Sequence, residues 1–180
     1  MRLPLVWVDL EMTGLDPAHD AIVEIATIVT DGALEQVREG PDLVVHQPDA
    51  VLAGMPEVVL RMHDTSGLTV ASRDSSLTVE EAEARTLDFV TRHVPEPRVA
   101  PLAGNSVHAD RAFLHRYMPR LDGHLHYRNV DVSTVKELAR RWYPEALAAA
   151  PTKTGGHRAM ADLRESIAEL RHYRRTVFRP

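Results

Sequence analysis

The chain has 180 residues, 44% of them hydrophobic and 26% charged, which is the composition of a single globular domain large enough for a buried core. It contains no run of 18 apolar residues and no cysteine, so the sequence excludes a membrane-spanning helix, disulfide bonds and thiolate metal sites. The net charge of −5, from 21 basic and 26 acidic residues, argues against a long non-specific footprint on a nucleic-acid polymer but leaves room for a ligand with few phosphates. The sequence begins without a leader-like segment and has no cysteine, and we expect a cytoplasmic protein.

The hydrophobic pattern predicts strands first and then an alternation of strands and helices. In chain order, the predicted elements are strands at 3–9 and 22–30, a weaker strand at 43–46, a short helix at 55–62, a helix at 78–93, a strand near 99–103, a helix at 110–118, a strand at 127–133 that leads into a helix at 133–143, a loop at 146–156 and a final helix at 158–175. Thr78 and Glu81 form a capping box, which makes the helix at 78–93 the clearest of these elements. The order of elements is typical of an α/β fold with a mixed sheet and helices on its faces, in one domain that spans residues 1–180.

Two carboxylates interrupt the apolar stretch LVWVDLEMTGLD, residues 5–16. Asp9 and Glu11 are two positions apart, and side chains at that spacing leave a strand on the same face. Like charges held so close repel each other, and their unpaired burial is costly. The pair therefore predicts a cation beside the end of the first strand.

Two further acids follow strand-to-helix turns later in the chain, where ligands of α/β sheets gather. Asp110 follows the turn in LAGNSVHAD, and Asp162 lies near the start of the final helix. Four converging carboxylates would suit two divalent cations about 3.5–4 Å apart, and oxygen ligands favour Mg²⁺ or Mn²⁺. Taken singly, Asp110 could be a helix N-cap and Asp162 a first-turn acid that complements the helix dipole.

His157 is the candidate general base. It follows Gly155 and Gly156, so we expect it on a loop or a helix start from which it could swing towards the metal site, while Asp162 projects from the first turn. A neutral imidazole beside an activated water is a suitable base at pH 7. The alternative is an ordinary loop histidine.

Four segments resemble the oligoribonucleases, members of the DEDD superfamily of 3′-to-5′ exonucleases with a catalytic histidine. The segments are VDLEMTGLD, GNSVHADRAFL, YRNVDVSTVKEL and HRAMADLRESIAEL, and the resemblance runs from about residue 5 to residue 175. It implies an RNase H-like fold, a mixed five-stranded sheet flanked by helices. The catalytic and metal-binding residues that it implies are Asp9, Glu11, Asp110 and Asp162 as ligands of two divalent metal ions (Mg²⁺ or Mn²⁺), with His157 as general base.

The implied reaction is the stepwise hydrolysis of short oligoribonucleotides, especially dinucleotides such as pGpG, to nucleoside 5′-monophosphates. A metal-activated water would attack the 3′-terminal phosphodiester while the second metal stabilises the leaving 3′ oxyanion.

The resemblance also implies a small substrate pocket and a homodimer. The implied pocket residues are Met12, Leu15 as a wedge between the two bases, His63 near the phosphate, Ser106 in the wall, and Tyr127, Arg128 and Ser133 as a cap on the 5′ phosphate. The other subunit would supply Tyr127 and Arg128 of the cap. An RNA longer than a dinucleotide would collide with the cap, which implies a preference for dinucleotides. Without the family, Tyr127 and Arg128 would be ordinary polar residues of a strand edge.

Three positions depart from the family pattern: Val58 stands where many members have Trp, Ala109 where many have Gln, and Ala161 where a second Asp is common. These changes concern base packing, since the metal-binding set is complete. Three alternatives stay open: a DNA-directed exonuclease with a groove for a longer strand, an inert nucleic-acid-binding module, and a metal-free structural protein.

Overall fold

A computed structural model describes residues 1–152 and 156–178. Its elements, in chain order, are β1 (Leu5–Met12), β2 (Ile22–Thr30), β3 (Val37–Val44), α1 (Asp49–Leu52), α2 (Glu57–Thr65), α3 (Leu68–Asp74), α4 (Val79–His93), β4 (Pro101–Gly104), α5 (His108–Tyr117), α6 (Pro119–His124), β5 (His126–Asp131), α7 (Val132–Trp142), α8 (Pro144–Ala148) and α9 (Ala159–Thr176). Within these ranges, no helix is both long and apolar enough to cross a membrane.

The strands form one mixed sheet in the order β3-β2-β1-β4-β5, which confirms the predicted fold class. β1 pairs antiparallel with β2, and β2 pairs antiparallel with β3. β4 runs parallel to β1 and to β5. The carboxyl ends of β1, β4 and β5 therefore meet at one edge of the sheet, where α/β folds place their ligands.

Hydrophobic clusters cover both faces of the sheet, and the alternation of side chains along β1 divides β1 between them. Val8 faces the cluster that includes Phe113 of α5, whereas Trp7 faces the cluster that includes Leu163 of α9. Asp9 and Glu11 continue the Trp7 side of the strand. They consequently lie on the face that α9 covers.

The predicted capping box at the start of α4 is present. The Glu81 backbone N–H donates to the Thr78 hydroxyl at 3.2 Å, and the Thr78 N–H donates to the Glu81 carboxylate at 3.0 Å. These reciprocal bonds satisfy two N–H groups that have no partner within the helix.

Several predicted boundaries were wrong. β3 covers Val37–Val44 rather than 43–46, because its polar sequence VREGPDLV lies at the sheet edge, where a strand needs no apolar run and tolerates a proline. The short helices α1, α3 and α6 were missed, and α8 begins with Pro144 and extends into the predicted loop at 146–156. A helix of one or two turns is too short to show an apolar period.

Candidate active site

Three of the predicted acids converge. Ligand oxygens of Asp9, Glu11 and Asp162 all lie within 4.8 Å of one another. The first two acids lie inside β1 rather than after it, and β1 pairs regularly with β2 up to Glu11, after which the register shifts. Asp162 comes from the first turn of α9, the helix that packs on β1 and β2. The i, i+2 spacing in β1 and the docking of α9 thus bring together residues that are about 150 positions apart in sequence.

The carboxylates of this cluster repel one another. Burial, and then repulsion from Asp110, Glu11 and Asp162, raises the pKa of Asp9 well above its usual value. Burial, followed by repulsion from neighbouring carboxylates with Asp162 first, raises the pKa of Glu11 to about 8, and the Arg158 guanidinium opposes this rise. Buried carboxylates with such pKa values favour either protons or cations beside them. An all-oxygen set of this kind fits Mg²⁺ or Mn²⁺.

Asp110 stands beside the three-oxygen cluster. It is buried in the first turn of α5, and its Oδ1 accepts a hydrogen bond from the Leu10 N–H at 2.9 Å. Burial raises the pKa of Asp110 to about 7, although hydrogen bonds from backbone N–H groups partly offset the rise. The N-cap alternative for Asp110 is wrong, since the N-cap of α5 is Val107.

His157 is exposed and adopts a backbone φ of 46°, a left-handed conformation uncommon for a residue with a Cβ. It lines a groove with residues of α2, including Val58 and Met62. It stands two residues before α9 and therefore outside the helix that carries Asp162, as predicted. Gly155, half of the predicted glycine pair, lies outside the described residues.

The predicted pocket residues near β1 occupy two different environments. Leu15 is 77% exposed, as a wedge would need to be, and Met12 is half-buried. His63 is fully buried in α2, and its Nε2 donates to the Met12 carbonyl at 2.9 Å. Its Nδ1 lies 3.9 Å from the Glu11 carboxylate. His63 thus connects α2 to the end of β1 that carries the acids.

Ser106 and Ser133 lie together where β4 and β5 end. Their hydroxyl oxygens are 3.2 Å apart, and the Ser106 N–H donates both to Ser133 Oγ and to Asp131 Oδ1, each at 3.0 Å. Asp131 also accepts from the Ser133 N–H as the N-cap of α7. Sequence reasoning missed Asp131, although an Asp directly before a helical pattern is a recognisable N-cap signal.

Tyr127 and Arg128 lie near the other end of β5, the edge strand of the sheet. The Arg128 guanidinium carbon lies 5.3 Å from the centre of the Tyr127 ring, and both side chains are exposed. Tyr127 is four residues before Asp131, which corresponds to about 13 Å along a strand. The two parts of the predicted cap are therefore at opposite ends of β5 within one chain.

An ion pair between a buried glutamate and a partly exposed arginine beside the cluster was also missed. Glu24 of β2 is opposite Glu11 in the strand register and is fully buried. Its carboxylate accepts from the Arg158 guanidinium and from the Ala159 N–H at the start of α9. A single acid inside the apolar run IVEIATIVT was the available signal.

Comparison with known proteins agrees with this geometry. A family model described as Exonuclease matches residues 6–170. The chain is 56% identical to the oligoribonuclease of Streptomyces coelicolor over 98% of its own length and 88% of that protein, and 55% identical to the oligoribonuclease of Pseudomonas aeruginosa over 94% and 93%.

Solved structures of exonuclease I share the fold. The Escherichia coli enzyme in complex with a 5cy-dT13 oligonucleotide superposes with a TM-score of 0.73 at 17% identity, over 98% of this chain and 42% of that one. The chain therefore spans less than half of exonuclease I but nearly all of its curated relatives. The matching family model and these relatives show that the chain belongs to the oligoribonuclease family, whose members are exonucleases.

Proposed function

We propose that this protein hydrolyses short oligoribonucleotides from the 3′ end, with a preference for dinucleotides including pGpG, and releases nucleoside 5′-monophosphates. The observation that carries the proposal is the cluster of Asp9, Glu11 and Asp162. Its acids repel one another where burial already disfavours their charge, and bound cations would relieve both penalties. The oligoribonuclease relatives supply the substrate class.

The acids of the site would hold two divalent ions, with Asp110 beside Asp9 as the fourth carboxylate. When bound, such ions supply Lewis acidity that lowers the pKa of water and stabilises a leaving oxygen. His157 would accept the proton of the attacking water, because it is exposed and lies on a short segment directly before α9.

The substrate would lie between the acids and the Ser106–Ser133 pair. Exposed Leu15 could insert between two bases, and the serine hydroxyls offer hydrogen bonds to the 5′ phosphate. A site bounded at both ends would favour two nucleotides over a longer chain. The net charge of −5 suits this small substrate.

The cap would be completed in a homodimer. Tyr127 and Arg128 are about 13 Å and about 10 Å along β5 from Asp131, at a distance from the serine pair of their own chain. Trp142 is 63% exposed and Leu138, one turn earlier on α7, is also exposed. These apolar side chains, close in sequence to the edge strand, are suited to a partner subunit. The second subunit could then bring its own Tyr127 and Arg128 to the pocket.

The test is hydrolysis of 5′-phosphorylated RNA of two, three, five and seven residues, with Mg²⁺ or Mn²⁺ and then with EDTA. Metal-dependent cleavage that falls steeply with length is expected. Equal rates at all lengths would indicate an open groove, and equal rates on DNA of matched length would favour the DNA-directed alternative. No cleavage would favour the inert binding module.

A further inference from the structure

The start of α9 is tied to the sheet by a buried carboxylate. Glu24 has no exposed surface on its side chain, and one oxygen accepts from Arg158 Nε at 2.8 Å and Nη2 at 2.6 Å. The other oxygen accepts from the Ala159 N–H at 3.0 Å. Ala159 is the first residue of α9, whose N–H has no partner inside the helix. Glu24 thus binds both the side chain and the backbone at this helix start.

In the sequence, this contact lies between His157 and Asp162, two residues of the proposed site. Arg158 directly follows His157, and Asp162 is one turn farther into α9. His157 holds a left-handed backbone conformation, φ 46°, which persists only where neighbouring contacts impose it. Glu24 is also the cross-strand neighbour of Glu11. It therefore connects the start of α9 to the strand pair β1–β2, in which β1 carries the other acids.

Glu24 itself is not suited to be another metal ligand. Both of its oxygens are occupied by Arg158 and Ala159, whereas the cluster oxygens of Asp9, Glu11 and Asp162 face one another. A buried carboxylate that accepts hydrogen bonds from two guanidinium nitrogens and from a backbone N–H makes a charge-assisted, directional contact.

We infer that Glu24 and Arg158 form a positioning clamp that sets His157 and Asp162 against the acids of β1 in the proposed nuclease site. The inference rests on the proposed function. A clamp of this kind acts through the residues it orients, and removal of such supporting contacts lowers metal affinity or activity by roughly 10–100-fold.

The chain offers a matched control. Arg164, six residues farther along α9, pairs with Glu39 of β3 at 2.6 Å. It is likewise an arginine–glutamate contact between α9 and the sheet, but both side chains are about half exposed. The backbone of Arg164 lies about 9 Å farther along the helix axis than that of Arg158.

The experiment compares Arg158→Met, Glu24→Gln and Arg164→Met with the wild-type protein. It measures kcat and KM on a 5′-phosphorylated RNA dinucleotide, Mn²⁺ binding by electron paramagnetic resonance without substrate, and Tm. We expect kcat to fall at least tenfold in Arg158→Met and Glu24→Gln with KM within about threefold of wild type, and Arg164→Met to stay near wild type. We expect weaker Mn²⁺ binding in Arg158→Met, because displacement of Asp162 opens the site.

The metal measurement separates positioning from charge. Loss of a positive charge beside carboxylates would by itself tighten cation binding, so tighter Mn²⁺ binding in Arg158→Met would overturn the clamp. A kcat within twofold of wild type, or an equal loss in Arg164→Met, would also overturn it. If Arg158→Met has a Tm too low for assay, Glu24→Gln supplies the kinetic part of the test, and a kcat within twofold of wild type in that variant would overturn the clamp. A wild-type protein that does not hydrolyse the dinucleotide would instead refute the proposed function.

Discussion

Asp110 of α5 accepts the N–H of Leu10, the residue between Asp9 and Glu11, at 2.9 Å. One side chain therefore contributes a charge beside the cluster and also fixes the strand segment that carries the two other acids. These two contributions can be separated, because an amide keeps an acceptor oxygen but loses the charge.

We predict that Asp110→Asn lowers kcat at least about 100-fold, the loss expected when electrostatic stabilisation of a reacting group is removed, while Tm stays near that of wild type. Asp110→Ala should lose the same activity and also about 1 kcal/mol of stability, because the buried Leu10 N–H then lacks its partner. Steady-state kinetics and thermal unfolding check both expectations. Wild-type activity in Asp110→Asn would remove this carboxylate from the site.

Asp162→Ala should abolish turnover while the fold stays intact. Asp162 supplies one of three converging carboxylates, so its loss should also remove most of the rise in Tm that Mn²⁺ produces in the wild-type protein by binding the folded state. Circular dichroism monitors the fold, and unfolding with and without Mn²⁺ monitors the metal. Wild-type rates in this variant would contradict the assignment of Asp162.

Stability without metal should fall as pH rises. The folded-state pKa values of Glu11 and Asp110 are raised to about 8 and about 7, so the folded protein binds more protons than the unfolded chain between about pH 5 and pH 8. The free energy of unfolding then decreases with pH, by at most about 1.4 kcal/mol per pH unit for each proton. In EDTA, we expect Tm to drop across this window.

Two comparisons check this pH dependence. Glu11→Gln should flatten the slope in EDTA, because one of the carboxyl groups with a raised pKa is gone. Saturating Mg²⁺ should flatten it in the wild-type protein, because a bound cation favours the ionised acids. A Tm that rises from pH 5 to pH 8 in EDTA would show that the acids are not held together in the folded state.

Arg128→Ala should slow the hydrolysis of dinucleotides that carry a 5′ phosphate at least about tenfold more than that of dinucleotides without one. Charge-assisted hydrogen bonds to phosphate are lost only in the first case. Arg38→Ala is the control, since Arg38 is an exposed arginine on β3, the opposite edge strand. Equal effects of Arg128→Ala on both substrates would remove Arg128 from the phosphate cap.

A dimer whose subunits complete each other's pockets allows complementation. Light scattering should give the mass of a dimer at micromolar concentration. Mixed subunits of Asp162→Ala and Arg128→Ala should regain activity on 5′-phosphorylated dinucleotides, because statistical mixing restores about one quarter of the sites in a two-fold dimer. Each mixed dimer has one pocket with intact acids from one chain and an intact cap from the other. No recovery after subunit exchange, or a fully active monomer, would contradict a shared pocket.

The sequence predicted the parts of the site that depend on local spacing. Asp9 and Glu11 stood out because an apolar strand rarely carries two acids on one face, and Thr78 with Glu81 marked the start of α4. The Glu24–Arg158 pair was missed because it joins residues 134 positions apart, which no local pattern encodes. The roles of Tyr127, Arg128 and the other pocket residues remain predictions from family resemblance.

The position of α9 has a consequence for when activity arises. Two acids of the cluster lie in the first strand, near the beginning of this sequence, and the third lies in the last helix. Contacts between such distant segments form late, since they require closure of most of the chain. A partly synthesised or partly folded chain that lacks docked α9 therefore has no assembled cluster. Nuclease activity therefore has to wait for the docking of α9, which brings the third acid to the strand that carries the other two.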